Sequence, residues 1–242
     1  MSSDSLESVA REIVESRKCE RLVEWRERVA RDKTARFRDW EYWAKPVPPF
    51  GDPNARLVIV GLAPAAHGGN RTGRIFTGDR SGDWLFESLY RAGFANQPRS
   101  ENRDDGLRLL DAYITAVVHC APPGNKPTPQ ERDNCLPFLH RELRLLPWRV
   151  IVALGSFAYD GVCRALRVRK RPAFGHGVEA PLEDGRVVIC SYHPSQQNTQ
   201  TGKLTREMLD DVFLRARELV AASRGSDGEA ASEGAALSCE DR

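Results

Sequence analysis

The residues best suited to chemistry lie in two short segments, each of which follows an apolar run. The first is GLAPAAHGGNRTGRIFTGD, residues 61–79, which follows residues 57–60 and ends at Asp79. The second is HPSQQNTQTGKLT, residues 193–205, which begins at His193. Backbone amides in a glycine-rich loop can bind an anion or a flat polar ligand. A histidine and a carboxylate can donate or accept a proton beside it, so the pair of segments indicates a reactive site.

Alternating strand and helix patterns must position these segments. Predicted strands cover residues 57–62, 113–118, 150–154 and 187–192, and predicted helices cover residues 6–32, 83–92, 129–145, 156–166 and 205–222. Strands separated by helices need crossover connections, which produce a parallel sheet covered on both faces. We therefore predict an α/β fold, a three-layer α/β/α sandwich around a four-stranded parallel sheet. Ligands bind at the carboxyl ends of such strands, where both segments fall.

Length and composition predict one domain. The chain has 242 residues, 40% of them hydrophobic, which is enough for a single core over residues 1–222. The last stretch, residues 223–242, holds five acidic residues and two arginines and is predicted to be a disordered tail. Because the net charge is +2, the remainder is mildly basic. This charge is compatible with a polyanionic partner and equally with ordinary solubility.

No stretch of the sequence resembles a signal peptide or an apolar membrane span. We expect a cytoplasmic protein that does not bind membranes. The six cysteines are too scattered for a disulfide scaffold, so their thiols are predicted to stay free or to bind metal.

The two segments, with CAPPGNKPTPQERDNC between them at residues 120–135, resemble the family 5 (type B) uracil-DNA glycosylases of the uracil-DNA glycosylase superfamily. The resemblance extends from about residue 17 to residue 213. It implies an α/β/α sandwich that cleaves the N-glycosidic bond of uracil in DNA without nicking the strand, in base excision repair. It also implies a 4Fe-4S cluster and, as the partner, DNA containing uracil or other deaminated bases. We expect a monomer that associates with the nucleoid through DNA.

The catalytic residues implied by the resemblance begin with His193, which would donate a hydrogen bond to O2 of the departing uracil. Many superfamily members place Asp, Glu or Asn at the second position of the first motif to orient water, but Leu62 stands here. Asp79 is the candidate replacement, with helix capping as its alternative role. Asn70 is a third candidate.

The base pocket is predicted from the same loop. Phe76 would stack on the flipped base, with a place in the apolar core as the less favoured alternative. Ala116 stands where family 4 enzymes have an asparagine that pairs with the uracil edge, so the pocket is expected to tolerate other bases such as hypoxanthine. The complete predicted pocket consists of Gly61, Leu62, Ala63, His67, Phe76 and Ala116.

The segment that follows His193 is predicted to enter the minor groove beside the flipped base. Its alternative is a polar turn that caps the last helix at Thr205. The predicted DNA-binding residues are Ser195, Gln196, Gln197, Asn198, Lys203 and Arg206.

Three cysteines match the four-cysteine cluster pattern implied by the resemblance. They are Cys19, Cys120 and Cys135, while Ser16 occupies the place of the fourth. Serine oxygen is a harder and rarer ligand for iron than sulfur, so Ser16 would ligate weakly, another group would complete the site, or the cluster would be labile or lost. The remaining cysteines inside predicted elements, Cys163 and Cys190, are expected to be core residues.

A second function class stays open. Because Leu62 and Ser16 both depart from the family pattern, the chain could be a catalytically weak or inactive DNA-binding protein that retains the fold. A serine hydrolase using Ser156 is disfavoured, since the sequence LGSFA lacks the second glycine of a nucleophile elbow.

Overall fold

A computed structural model of the chain describes residues 4–236, with the backbone alone for residues 223–236. One sheet of six strands, in the order β1-β3-β2-β4-β6-β5, forms the centre. The strands are β1 (Phe50–Gly51), β2 (Leu57–Gly61), β3 (Ala112–Ala116), β4 (Val150–Leu154), β5 (Glu179–Pro181) and β6 (Val187–Ser191).

The four central strands are parallel, which confirms the predicted α/β fold. The sheet is nevertheless wider than the predicted four strands, because β1 and β5 pair antiparallel with its two edges. These edge strands have two and three residues, which is too short for a period-two pattern to reveal them.

Helices cover both faces of the sheet. They are α1 (Leu6–Glu15), α2 (Glu20–Asp32), α3 (Gly69–Thr72), α4 (Arg80–Arg91), α5 (Pro129–Leu145), α6 (Ser156–Ala165), α7 (Gln196–Gln200) and α8 (Arg206–Ala236). Alternate residues of each buried strand point to opposite faces. In β2, Ile59 belongs to the core beneath α4 and α8, and Val58 belongs to the core beneath α5 and α6. This arrangement confirms the three-layer sandwich.

The prediction of one opening helix over residues 6–32 is wrong. The helix ends at Glu15, Ser16 adopts an extended conformation, and a second helix begins after Cys19. The first helix packs Val9 and Ile13 against α5, whereas the second buries its own apolar face elsewhere. The polar residues between them contribute no buried side chain that would hold a continuous helix to one surface.

The predicted domain end at residue 222 does not coincide with the end of a secondary-structure element. Helix α8 continues to Ala236. The rest of the predicted tail, residues 237–242, lies outside the described residues. Among those described, no helix is long and apolar enough to cross a membrane.

Candidate active site

The site lies at the carboxyl edge of the central strands. Gly61 and Ala116, the last residues of β2 and β3, are aligned in register, so both strands end at the same edge of the sheet. His193 follows β6 by two residues. The fold therefore brings the glycine-rich loop and His193 to the same edge of the sheet, as predicted.

The rings of Phe76 and His193 lie beside each other at this edge, and the candidate cleft is the surface that they border. Their ring centroids lie 5.7 Å apart with an interplanar angle of 32°. A Cβ atom on Gly61 would lie 2.8 Å from the Phe76 ring, so only glycine lets the ring lie against the end of β2. Phe76 itself has a φ of 55°, in the left-handed region that non-glycine residues rarely adopt. The loop is thus held in a strained conformation that directs this aromatic ring toward the imidazole.

The surroundings of His193 keep its imidazole neutral. Burial lowers the pKa of His193 to about 4, because the apolar environment disfavours the charged form. The backbone carbonyl of His193 accepts a hydrogen bond of 2.9 Å from the side-chain amide of Asn198. A neutral imidazole can donate one hydrogen bond to a ligand in the cleft at physiological pH.

Asp79 ends the glycine-rich loop and begins α4. Its Oδ1 accepts a 3.0 Å hydrogen bond from the Gly82 backbone amide, so it is the N-cap residue, as its alternative role predicted. Its Oδ2 packs over Gly68, where a Cβ atom would clash with it. Burial raises the pKa of Asp79, and the amides of Gly82 and Ser81 oppose that rise. One carboxylate oxygen therefore caps the helix, and the other lies against the loop that borders the cleft.

Arg71 is a residue of the loop that the sequence analysis missed. Its Nε donates a 2.7 Å hydrogen bond to the His67 carbonyl, and its Nη2 donates a 2.9 Å bond to the Gly78 carbonyl. The guanidinium thereby joins the beginning and the end of the loop, immediately before Asp79. The sequence carried no signal for this role, because burial of a single polar side chain cannot be read from residue types and spacing.

The other loop candidates are distributed around the cleft. Leu62 and Ala63 are half-buried directly after β2. His67 is half-buried, and its Nδ1 lies 2.9 Å from the Tyr42 hydroxyl. Asn70 is fully buried, and its amide nitrogen faces the carbonyls of Arg26 and Ala66. Its amide nitrogen therefore faces α2, whereas its Oδ1 has no hydrogen-bond partner among the described residues.

Ala116 is fully buried at the end of β3 and contributes no polar side-chain atom. Beneath it, Thr115 donates a 2.7 Å hydrogen bond to the carboxyl group of Glu142. Burial raises the pKa of Glu142 to about 8. This pair of polar side chains lies between β3 and α5.

The predicted DNA-binding segment forms a short helix, α7, with Ser195 as its N-cap. Gln196 and Gln197 are exposed at its first turn, as is Lys203 after its end. Arg206 forms an ion pair with Glu87 and lies over the Trp84 ring. The segment thus presents exposed amide side chains and a lysine, while Asn198 is turned back toward His193.

The three predicted cysteine ligands gather where α2, α5 and the chain after β3 meet. Cys120 and Cys135 are buried in one apolar cluster, and Cys19 packs against that cluster. The Cys120 sulfur accepts a 3.0 Å hydrogen bond from Arg26, and the Cys19 sulfur accepts one of 3.3 Å from Asn134. Ser16 lies half-buried, three residues before Cys19. Within residues 4–222, no group of three or more His, Cys, Asp or Glu side chains is arranged to hold a metal ion.

Sequence comparison agrees with this fold and cleft. The family described as the uracil DNA glycosylase superfamily matches residues 48–217, and the chain belongs to it. Within that superfamily the chain is similar to proteins named type-5 uracil-DNA glycosylase. The Mycobacterium bovis protein is 54% identical over 207 residues, covering 84% of this chain and 77% of the relative. The Thermus thermophilus protein is 51% identical over 215 residues, covering 88% and 97%. The Pyrobaculum aerophilum protein is 48% identical over 204 residues, covering 84% and 88%.

Proposed function

We propose that this chain is a monofunctional DNA glycosylase that hydrolyses the N-glycosidic bond of uracil in DNA and acts in base excision repair. Membership of the superfamily and about 50% identity to type-5 enzymes support the uracil activity. The observation that carries the chemistry is the proximity of Phe76 to a neutral His193 at the carboxyl edge of the sheet. A glycosylase needs such a pocket, because it must extrude its base from the duplex before cleavage.

Departure of the base is the step that His193 would assist. As the glycosidic bond breaks, its electron pair moves to the uracil ring, and negative charge builds on O2. A neutral imidazole donates a hydrogen bond to that oxygen and stabilises its charge while keeping its own proton. Phe76 would stack on the ring and hold it in the plane of the donor.

Completion of the reaction needs a water molecule at the sugar carbon. The sugar becomes positively charged as the base leaves, so a nearby carboxylate stabilises it and can accept the proton of the attacking water. The Leu62 side chain has no polar atom for either task, and the amide of Asn70 has no negative charge to stabilise the sugar. Asp79 is the carboxylate of this loop, and we assign it this role.

The range of substrates is proposed to extend to other deaminated bases, including hypoxanthine. Ala116 provides no hydrogen-bonding group against the base edge. A pocket rejects a wrong base most strongly when that base leaves a buried polar group unpaired. Without such a group at this position, discrimination between uracil and hypoxanthine is expected to be weak.

Duplex oligonucleotides that contain one uracil or one hypoxanthine test this proposal directly. We expect release of both bases, measured as abasic sites that are cleaved by alkali after incubation. Uracil release without hypoxanthine release would contradict the broad range and retain the uracil activity. Absence of both would favour the alternative function, a DNA-binding protein that retains the glycosylase fold.

We further propose that the three cysteines hold a 4Fe-4S cluster, with Ser16 as the fourth ligand. The side chain of Arg26 supports this fit. It is 2% exposed, donates to the Cys120 sulfur, and has no partner for its Nε among the described residues. A buried cation needs an anionic partner, which cluster-bound thiolates would provide. Hydrogen bonds to sulfur, such as those from Arg26 and Asn134, are typical of iron–sulfur sites.

The role of the cluster would be structural, since its ligands join the junction between α1 and α2 to α5 and the chain after β3. We predict that Ser16→Cys increases the iron retained per chain after exposure to air, because thiolate is a better ligand for iron than serine oxygen. Iron and acid-labile sulfide are measured in protein purified without oxygen, beside the Ser8→Cys variant as a control. Wild-type and Ser16→Cys proteins that both lack iron would contradict the cluster.

DNA contact is proposed through α7 and the residues around it. Ser195, Gln196 and Gln197 would approach the minor groove, and Lys203 would approach a phosphate. Asn198 would act indirectly by holding the His193 backbone. A single chain contains every residue assigned here, so we propose that the monomer is active.

A further inference from the structure

An opening bordered by Arg71 and Thr72 of the glycine-rich loop combines aromatic rings with cations. This aromatic groove has a volume of about 510 Å³, and its lining includes Trp40, Tyr42, Trp43, Lys45, Arg71 and Arg103. Trp40 is 39% exposed, so its ring is accessible to a ligand. An exposed tryptophan with neighbouring cations is the combination that stacks bases and holds phosphates in proteins that bind single strands.

The groove adjoins the active-site loop. Trp43 and Ala44 donate backbone hydrogen bonds of 3.0 Å and 3.1 Å to the carbonyls of Arg71 and Asn70, so this segment runs along α3. Arg71 forms part of the groove and also donates to the Gly78 carbonyl, one residue before Asp79. The guanidinium of Arg71 therefore borders the groove and also contacts the end of the loop, next to the candidate catalytic carboxylate.

The charges of the groove favour a polyanion. Lys45 and Arg103 are exposed, and neither forms an ion pair with a carboxylate within residues 4–222. Both cations lie over the Trp43 ring, at 5.5 Å and 4.6 Å from its centroid. Glu41 and Asp104 also line the opening, so the groove is mixed in charge, with an excess of cations.

Arg71 adds an independent indication of a ligand. Its guanidinium carbon lies 4.0 Å from the Phe37 ring centroid and 4.1 Å from that of Trp40, and the residue is 3% exposed. Its Nη1 has no hydrogen-bond partner among the described residues. A buried donor without a partner is costly, and an acceptor bound in the groove would relieve that cost.

We propose that the aromatic groove binds the DNA strand that carries the target base, with an unpaired neighbouring base stacked on Trp40 and its phosphates at Lys45 and Arg103. The inference rests on the proposed function, because it supplies the path of the strand on one side of the active-site loop. The segment at α7 would then contact the duplex beside the flipped base. The groove would hold the part of the target strand that extends away from the active site.

Binding of a labelled single-stranded oligonucleotide without uracil tests the groove separately from catalysis. Trp40→Ala is expected to weaken binding about tenfold, because one base loses its stacking partner. Tyr90→Ala is the matched control, since Tyr90 is 48% exposed and lies near the far end of α4. Equal affinities of the Trp40→Ala and Tyr90→Ala variants would overturn the proposal.

The salt dependence of the same binding tests the phosphate contacts. Lys45→Ala and Arg103→Ala are each expected to reduce the slope of log K against log salt by about 0.7, as loss of one phosphate contact to a single strand does. Lys170→Ala, which removes an exposed lysine outside the groove, is the control. An unchanged slope in both groove variants would overturn the phosphate assignment. Wild-type protein that binds the strand but releases no uracil would instead overturn the proposed function, while the Trp40 comparison still decides the groove.

Discussion

Replacing His193 with alanine is expected to lower the single-turnover rate of uracil release about 10²- to 10³-fold, because one positioned donor to a developing oxyanion has an effect of that size. The centroid of the His193 ring lies 5.7 Å from that of Phe76, at the carboxyl edge of the parallel strands. The rate is measured on uracil-containing duplex with enzyme in excess, so that product release does not limit it. His140→Ala is the matched control, since His140 contacts the Ala165 carbonyl from α5 and is not part of the cleft.

The pH dependence distinguishes a neutral donor from a charged one. Because burial lowers the pKa of His193 to about 4, the imidazole is neutral above that pH and remains the donor from pH 8 down to pH 5. We therefore expect no loss of rate attributable to His193 as the pH falls through 6.5. A decrease with a midpoint near 6.5 that disappears in the His193→Ala variant would show that the folded-state pKa is not lowered.

Asp79→Asn is expected to lower uracil release about 10²- to 10⁴-fold if the carboxylate accepts the proton of the attacking water, the usual range for a general base. Asparagine is as good an N-cap as aspartate, so α4 keeps its cap and only the charge is lost. Thermal unfolding checks that the variant is as stable as the wild type. Asp83→Asn, which removes an exposed carboxylate one turn further along α4, is the control.

The proposed role of Asp79 also predicts a loss of rate at acidic pH. Burial raises its pKa above the ordinary value of 3.8, and the carboxylate is the active form, so the rate should fall with decreasing pH at a midpoint above that value. This limb should be absent in the Asp79→Asn variant. A variant that keeps both its rate and the wild-type acid limb would restrict Asp79 to helix capping, and would leave stabilisation of the departing base as the main source of catalysis.

Much of the fold follows from local sequence. Four apolar runs separated by amphipathic helices predict the parallel core, because such strands must be covered on both faces. The edge strands β1 and β5 did not appear, since two- or three-residue strands form only where a neighbouring strand supplies hydrogen bonds. The junction at residues 16–19 was also missed, because it is set by how α1 and α2 pack against different surfaces.

The sequence by itself determined the family, the glycine-rich loop and the position of His193 after a strand. These features depend on residue identity and on spacing along the chain, which can be read without coordinates. The direction of a side chain depends instead on residues distant in sequence. Tertiary structure alone decided that Asn70 faces α2 and that Asp79 caps α4 beside the cleft. It also brought Trp40 beside Arg71, 31 residues later in the chain, to form a groove that no sequence motif indicates.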